Sequence, residues 1–324
     1  MKLSIGFDVS KSTVDAALFD GIRTEHFQVE NSEEGFKMVL EKAGGYALED
    51  IMVTMEATGV YHHRCASFFD SRGFFVSVVN PLIIKRYTDM RMSRVKTDKA
   101  DAKQIARYGW SQQAYMYKAP SEKCQKIRAF FNVIEGLKRE KTQHRNRLEA
   151  LAQFASDMSE IAALHYAIIQ HLDTQIRQAE QRILILAQEE HPERYAQLQT
   201  IPGVGKRVAG AVIGYFGNME DFETAKQLVC FIGSNPSPKE SGSSVKGRGS
   251  ISRKGNSYLR KLFFLAALSA CKWNRSCKDL YERLVAKGKA KKVALIAVAN
   301  KLIRQVFAVT KYSRGYDPGF CAKS

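Results

Sequence analysis

Residues 3–9 read Leu3-Ser4-Ile5-Gly6-Phe7-Asp8-Val9, and this stretch decides the fold of the N-terminal third of the chain. Large apolar side chains alternate with small or polar ones, which is the period-two pattern of a strand with one buried face. Residues 51–57 repeat the alternation, and Glu56 stands near the end of that run as Asp8 does near the end of the first. The two runs predict two strands that each carry an acid on the less apolar face.

Further elements surround these two strands. The pattern predicts strands at residues 14–19, 26–29 and 74–79, the last stopped by Asn80-Pro81. Helices are predicted after the cap at residues 31–32, over residues 61–71, and from Thr97 to about Trp110. The predicted elements begin with strands and continue with strands and helices in alternation. This order indicates an α/β or α+β domain.

Four acids stand at the ends of these elements. Asp98 and Asp101 lie three residues apart at the start of a predicted helix and therefore share one face. If the strands pair and the helix packs across their ends, these acids converge with Asp8 and Glu56, and they repel one another unless divalent cations neutralise them. Oxygen ligands suit Mg²⁺ or Mn²⁺, and two such ions about 4 Å apart can clamp a phosphodiester. Taken singly, each acid is also compatible with a turn or helix-cap role.

The middle of the chain is predicted to be helical. Residues 121–155 are rich in helix formers, and in the next helix apolar residues recur at steps of three and four. This heptad seam indicates an antiparallel hairpin or an oligomerising coiled coil, and packing on the chain's own core is an equal alternative. The seam is formed by Ile169, Leu172, Ile176, Ala179, Ile183 and Leu186.

The last third combines helices with a loop rich in small residues. Residues 195–232 are predicted to form a compact helical unit, in which Pro202-Gly203-Val204-Gly205 looks like the turn of a helix-hairpin-helix. The backbone at Gly203 and Gly205 and the following helix start could bind a phosphate, although a plain turn would use the same residues. Residues 233–256 read as a Gly/Ser/Pro loop, and apolar helices follow at 257–271 and 293–310.

Charge is distributed very unevenly along the chain. The total is 50 Lys and Arg against 33 Asp and Glu, a net of +17, but residues 1–110 hold 15 of each sign and residues 233–324 hold 20 basic and 4 acidic residues. Such an excess favours a polyanionic partner, and nucleic acid fits better than a membrane surface because the cations are interleaved with loops and apolar helices. The candidate phosphate contacts, which could also be solvated loop residues, are Lys246, Arg248, Arg253, Lys254 and Arg260.

The six cysteines are scattered without a Cys-x-x-Cys pair, so neither a zinc site nor a disulfide framework is expected. The N-terminus has no signal-peptide pattern, and apolar runs such as residues 262–270 are shorter than the about 20 residues that cross a bilayer. A cytoplasmic, nucleoid-associated protein without a membrane partner is expected.

Three motifs resemble those of one known family. Residues 6–11 (Gly-Phe-Asp-Val-Ser-Lys), 55–59 (Met-Glu-Ala-Thr-Gly) and 96–102 (Lys-Thr-Asp-Lys-Ala-Asp-Ala) look like the acidic motifs of the insertion-sequence one-ten family of DEDD transposases, whose relatives include pilin-gene DNA invertases. The resemblance implies an RNase H-like, RuvC-like N-terminal domain in which Asp8, Glu56, Asp98 and Asp101 bind Mg²⁺.

The resemblance extends to the loop Lys239-Glu240-Ser241-Gly242-Ser243-Ser244. It implies that Ser241 is a nucleophile that forms a transient phosphoserine link to DNA, with residues 243 and 244 as fallback candidates. The carboxylates would act on the same phosphate from another domain or another protomer. Several members of the family pair their DNA with a structured RNA, so a guide RNA is a candidate partner, although base pairing leaves no motif in the protein.

The sequence thus predicts an α/β plus all-α chain in three parts. These are a RuvC-like catalytic domain at residues 1–112, a coiled-coil segment at 113–192 and a C-terminal transposase domain at 193–324. The predicted function is DNA cutting and rejoining by a homo-oligomer, a dimer or tetramer, because recombination joins two sites at once. A RuvC-like structure-selective endonuclease would need the carboxylates but not Ser241, and a non-enzymatic binding protein would need neither.

Overall fold

The computed structural model describes residues 1–57, 59–91, 98–112, 116–217, 219, 222–241, 245–252 and 254–319, with the backbone alone at 98, 237–241 and 245–250. The chain divides into two compact units, Met1–Ala119 and Pro120–Ser324. A mixed α/β sheet with its helices forms the first, and helices dominate the second. The predicted combination of an α/β part and an all-α part is confirmed at this level.

The first unit is built on a five-stranded mixed sheet in the order β3-β2-β1-β4-β5. The neighbours β1–β2 and β2–β3 are antiparallel, whereas β1–β4 and β4–β5 are parallel. All five strands fall where the period-two pattern predicts them. The strands are β1 (Leu3–Val9), β2 (Thr13–Phe19), β3 (Thr24–Glu30), β4 (Ile51–Glu56) and β5 (Phe75–Val79).

Within the described residues, four α-helices accompany this sheet: α1 (Glu33–Lys42), α2 (His62–Asp70), α3 (Pro81–Met90) and α4 (Asp98–Ser111). The prediction missed α3. Asn80 and Pro81 were interpreted as a strand stop, but they also begin a helix, since Asn80 Oδ1 accepts a hydrogen bond from Leu82 N at 2.9 Å and proline suits the first helical turn. The apolar face of the sheet carries the main core, centred on Phe7, Phe36 and Phe69.

The second unit begins with two long helices, α5 (Glu122–Leu151) and α6 (Ser159–Glu190). They are antiparallel, because contacts run from Ser121–Glu190 through Lys138–Glu180 to His144–His165. Of the two arrangements that the heptad seam allowed, the chain forms the hairpin. Seam residues from Ile176 to Leu186 are buried in the unit's own core, so the seam packs on its own chain at that end. A functional division of this unit at residue 192 stays a prediction.

In the part of this unit that the structure describes, six further helices share a hydrophobic core with the hairpin: α7 (Pro192–Gln199), α8 (Lys206–Tyr215), α9 (Ala225–Ile232), α10 (Ser257–Trp273), α11 (Arg275–Ala286) and α12 (Lys291–Lys311). Among the described residues, α12 is the one helix long and apolar enough to cross a membrane. Val298, Leu302, Ile303 and Val306 are fully buried against the other helices. We therefore interpret α12 as a core helix of this unit.

The predicted loop at residues 233–256 is wrong in part, because the structure has an antiparallel ribbon there. Its strands are β6 (Pro236–Ser241) and β7 (Val245–Ile251). The register shifts between Ser237 and Lys239, where Pro238 has no backbone N–H to donate. Small residues are typical of loops, but backbone pairing with a neighbouring strand does not depend on side-chain size.

The cysteines that the structure describes are free. Cys65, Cys124 and Cys277 are buried, and burial raises the pKa of Cys277 to about 11. Burial also raises the pKa of Cys65 well above its usual range. These thiols stay protonated at neutral pH, as structural cysteines do.

Candidate functional site

The parallel pairing of β1 and β4 brings Asp8 and Glu56 to the same edge of the sheet. Phe7 pairs with Met55, and the next residue on each strand is one of the two acids. Strand alternation puts Asp8 on the face of Ser4 and Gly6, and puts Glu56 on the face of Thr54. Both acids are half-buried, so neither points into the apolar core.

Helix α4 covers that same face through very close contacts. A Cβ atom on Gly6 would lie only 2.2 Å from the backbone nitrogen of Ala106, so any larger residue would push the helix off the strand. Further along, Ser4 Oγ donates a hydrogen bond to the Ala106 carbonyl at 2.7 Å, and Gly109 lies against Thr54. The small residues Ser4 and Gly6 of β1, together with Gly109 of α4, thus fix where α4 runs.

The direction of α4 determines where its own acids lie. Gly109 lies over Ser4 near the start of β1, and Ala102 lies over Gly6, so the start of α4 points toward the end of β1. Asp101 precedes Ala102 and is half-buried, and α4 begins at Asp98, for which the structure describes only the backbone. Among the described side chains, which exclude that of Asp98, no group of three or more His, Cys, Asp or Glu residues is arranged to hold a metal ion.

The chemistry of this edge suits a divalent cation. The donors available from Asp8, Glu56 and Asp101 are carboxylate oxygens, which Mg²⁺ and Mn²⁺ prefer. The start of α4 also carries a positive partial charge, which reduces the cost of collecting acids there. The residues present therefore fit such an ion, and their role as its ligands stays a prediction.

The sequence-based prediction missed a fifth acid, Asp15, which lies directly across from Asp8 in the antiparallel β1–β2 register. Asp15 is only 7% exposed, and its two oxygens lie 2.7 Å from His26 Nε2 and 3.0 Å from Gln28 Nε2. A carboxylate that is buried beside another acid destabilises the folded state unless hydrogen bonds such as these stabilise it. Pairing residue 8 with residue 15 across the turn at 10–12 would have shown the juxtaposition.

Asn31 ties together the loops that follow the two acidic strands. Its Nδ2 donates to the carbonyl of Ser10 at 2.9 Å and to that of Tyr61 at 3.5 Å, while Arg64 Nη1 donates to the Asn31 carbonyl at 2.9 Å. Ser10 follows β1 and Tyr61 lies between β4 and α2. The residue interpreted as part of a helix cap therefore joins the two loops at this edge.

The candidate nucleophile lies in the second unit. Ser241 is the last residue of β6 and pairs with Val245, and the backbone alone is described there. Residues 242–244, which include both fallback serines, lie outside the described residues. The role of Ser241 stays a prediction.

The predicted phosphate contacts differ in what the structure describes. Lys254 is exposed, whereas Arg260 Nη1 donates to the carbonyl of Ile232 at 3.0 Å, so part of its guanidinium holds the end of α9. Lys246 and Arg248 lie on β7, where only the backbone is described, and Arg253 lies outside the described residues.

The two glycines of the helix-hairpin-helix-like turn lie between α7 and α8. Gly203 has φ +103°, and a Cβ there would lie 2.7 Å from that of Ala270, so both backbone conformation and packing require glycine. Gly205 is the exposed N-cap of α8 and has no side chain to cap the helix. The amide groups at the start of α8 are thus open to an anion, as the prediction requires.

Two family models match the chain. Residues 5–156 match the DEDD transposase model of the IS110 type, which is described as a transposase, and residues 195–282 match the model described as the transposase IS116/IS110/IS902 family. The first match contains the four predicted acids and the second contains Ser241.

Similar proteins cover nearly the whole chain. The pilin gene-inverting proteins of Moraxella bovis and Moraxella lacunata are 31% and 32% identical to it, over 98% of each chain. A transposase for insertion sequence element IS1111A from Coxiella burnetii is 24% identical over 82% of this chain and 79% of its own length. The chain therefore belongs to the IS110 family of transposases and is a DNA recombinase.

Proposed function

We propose that the chain cuts and rejoins DNA with two groups, a Mg²⁺-binding carboxylate site and a serine nucleophile. The carboxylates are Asp8, Glu56, Asp98 and Asp101. The observation that carries the proposal is the parallel register of Phe7 with Met55, which places Asp8 and Glu56 side by side near the ends of two neighbouring strands, on the face that α4 covers. The order β3-β2-β1-β4-β5 supports an RNase H-like, RuvC-like fold for this unit.

In this proposal the carboxylates hold the cation and Ser241 supplies the attacking oxygen. A bound Mg²⁺ would stabilise the charge that develops on the phosphate oxygens. The Ser241 hydroxyl gives up its proton, its oxygen bonds to phosphorus, and the DNA oxygen leaves with a proton. The phosphoserine bond conserves the energy of the broken linkage, so a second DNA hydroxyl can reverse the step and rejoin strands. Mn²⁺ has the same ligand preference and would replace Mg²⁺.

We further propose that the basic C-terminal residues hold the DNA backbone. Residues 233–324 carry most of the excess charge, and Lys254 is exposed in that region. The start of α8, which precedes this region in the chain, is also exposed. A cytoplasmic, nucleoid-associated location follows from this substrate. A structured guide RNA and a dimeric or tetrameric assembly, which would bring two DNA sites together, stay predictions from the resemblance and the seam.

A plasmid assay tests the proposal. A supercoiled plasmid carrying the gene with its natural flanking DNA is incubated with protein and Mg²⁺, and rejoined products are counted by sequencing. Asp8→Asn should abolish products, because it removes a charge from the cation site. The matched control Asp20→Asn changes an exposed turn acid of the same unit, and its Oδ1 can still accept from the Ile22 and Arg23 amides. Equal product from both variants would refute the carboxylate role.

The alternative function is a RuvC-like endonuclease that hydrolyses DNA with the carboxylates alone. The match of residues 195–282 to a transposase family favours recombination over hydrolysis. If the purified protein nicks the plasmid without rejoining it and without becoming attached to DNA, the endonuclease is the better description.

A further inference from the structure

A cavity of about 350 Å³ lies between α12 and the segment at residues 314–318 that follows it. Ala308, Val309 and Pro318 give it an apolar lining. Its volume falls within the range of about 300–1,000 Å³ typical of small-ligand sites. The proposed recombinase function uses none of these residues.

Hydrogen bonds hold the segment after α12, which forms one wall of the cavity, in place. Tyr316 N donates to Thr200 Oγ1 at 2.7 Å, and Gln197 Nε2 donates to the Ser313 carbonyl at 2.9 Å. The Tyr316 hydroxyl also donates to Asn274 Oδ1 at 3.3 Å, and Asn274 is only 1% exposed. The cavity is therefore a built feature of the second unit, since its walls are tied to α7 and to the start of α11.

The charge around the cavity is positive. Lys301, Arg304 and Arg314 line it, against one acid, Asp317. Lys301 donates to the Ser276 carbonyl at 2.9 Å, and within the described part of the chain neither it nor Arg304 is paired with a carboxylate. A cavity lined by apolar residues, and by two cations that no described carboxylate neutralises, fits a ligand that has an apolar part and an anionic part.

We propose that this cavity binds one unstacked nucleotide of a single-stranded nucleic acid. Its base would lie against Tyr316 and the apolar lining, and its phosphate against Arg304 and Lys301. Base stacking on an aromatic side chain, together with a cationic path for the backbone, is the general mode of single-strand binding. The substrate strand and an RNA partner share this chemistry, so the experiment includes one arm for each.

The experiment compares two labelled strands of equal charge, dT8 and an eight-unit abasic deoxyribose phosphate, by fluorescence anisotropy. The wild-type protein should bind dT8 about tenfold more tightly, the preference expected from stacking one base. Ala308→Phe fills the cavity and should remove that preference. The matched control Lys311→Ala removes an exposed cation of the same helix that does not line the cavity, and should keep it.

Two further variants keep the test decisive. If Ala308→Phe lowers the melting temperature, Ala308→Leu fills less of the cavity and should reduce the preference for dT8 in part. Arg304→Ala should weaken the binding of both strands more than Lys311→Ala does. A comparison of the affinities for U8 and dT8 then shows whether the bound nucleotide belongs to RNA or to DNA. The proposal is overturned if the wild-type protein shows no base-dependent preference, or if a folded Ala308→Phe protein keeps it. Asp8→Asn should keep the preference, so failure here is distinct from failure of the carboxylate site.

Discussion

The edge of the sheet that carries Asp8 and Glu56 differs from the basic region at residues 233–324 in how its candidate functional groups are arranged. The α/β unit has balanced charge over residues 1–110, and its acids are placed by strand register and by a helix seated on glycine. The basic region has 20 cations and only 4 acids, and its candidate nucleophile lies on a two-stranded ribbon. Packing sets the position of the acids in the first region. The second region is distinguished by its excess of cations, although its helices α10 and α12 are packed in a core as well.

That difference predicts how each region responds to substitution. Where packing sets position, a single added methyl group can displace a catalytic group. Where charge dominates, one cation among many is dispensable, except where a particular atom takes part in chemistry. Four substitutions, from the largest expected effect to the smallest, test this contrast.

Ser241→Ala is expected to have the largest effect. Without the hydroxyl there is no covalent link to DNA, and strand exchange should fall by about 10⁴-fold or more, as when other enzymes lose their nucleophile. The protein–DNA adduct is measured on denaturing gels. Ser237→Ala is the matched control on the same strand, where Ser237 pairs with Ser250. An adduct that survives in Ser241→Ala but not in Ser237→Ala would identify a different nucleophile.

Gly6→Ala should strongly destabilise the first unit. The new methyl group would lie 2.2 Å from a backbone atom of α4, and overpacking of this kind costs about 3 kcal/mol or more of the free energy of unfolding. Gly136→Ala in α5 is the control, because its methyl group meets nothing within 4 Å and should stabilise that helix by about 0.5–1 kcal/mol. Urea unfolding measures both. A Gly6→Ala protein as stable as the wild type would contradict the seating of α4 on β1.

Asp15→Asn should reduce strand exchange about 10- to 100-fold, the usual range for groups that orient metal ligands. The amide keeps the size of the side chain but loses its charge and one acceptor oxygen beside Asp8. The Mg²⁺ concentration for half-maximal activity should rise with little change in melting temperature. A lower melting temperature with an unchanged Mg²⁺ requirement would mean that Asp15 is structural only.

Lys254→Ala should have the smallest effect. Loss of one phosphate contact weakens DNA binding uniformly and lowers the slope of log affinity against log salt by about 1. Lys37→Ala removes an exposed cation from the neutral unit and should leave the slope unchanged. Equal slopes for the two variants would show that Lys254 does not contact DNA.

The sequence predicts the first region better than the second, for physical reasons. The alternation of large apolar residues with small or polar ones is local, so β1 and β4 are visible in the chain itself, although both of their faces are buried in the structure. Register is not local, and Asp15 was missed because its position opposite Asp8 depends on how the strands pair. The ribbon β6–β7 was missed for the same reason. Helix α11 was missed because its N-cap Asn274 directly follows the last residue of α10, so no loop separates the two helices in the sequence.

Binding of Mn²⁺ tests the central claim most directly, namely that acids from β1, β4 and α4 share one cation. Electron paramagnetic resonance of free Mn²⁺ gives the affinity without DNA and without activity. We expect Asp8→Asn, Glu56→Gln and Asp101→Asn each to weaken binding by at least about tenfold relative to Asp20→Asn. Wild-type affinity in Glu56→Gln, together with weakened binding in Asp8→Asn, would show that the two strand ends do not serve one ion.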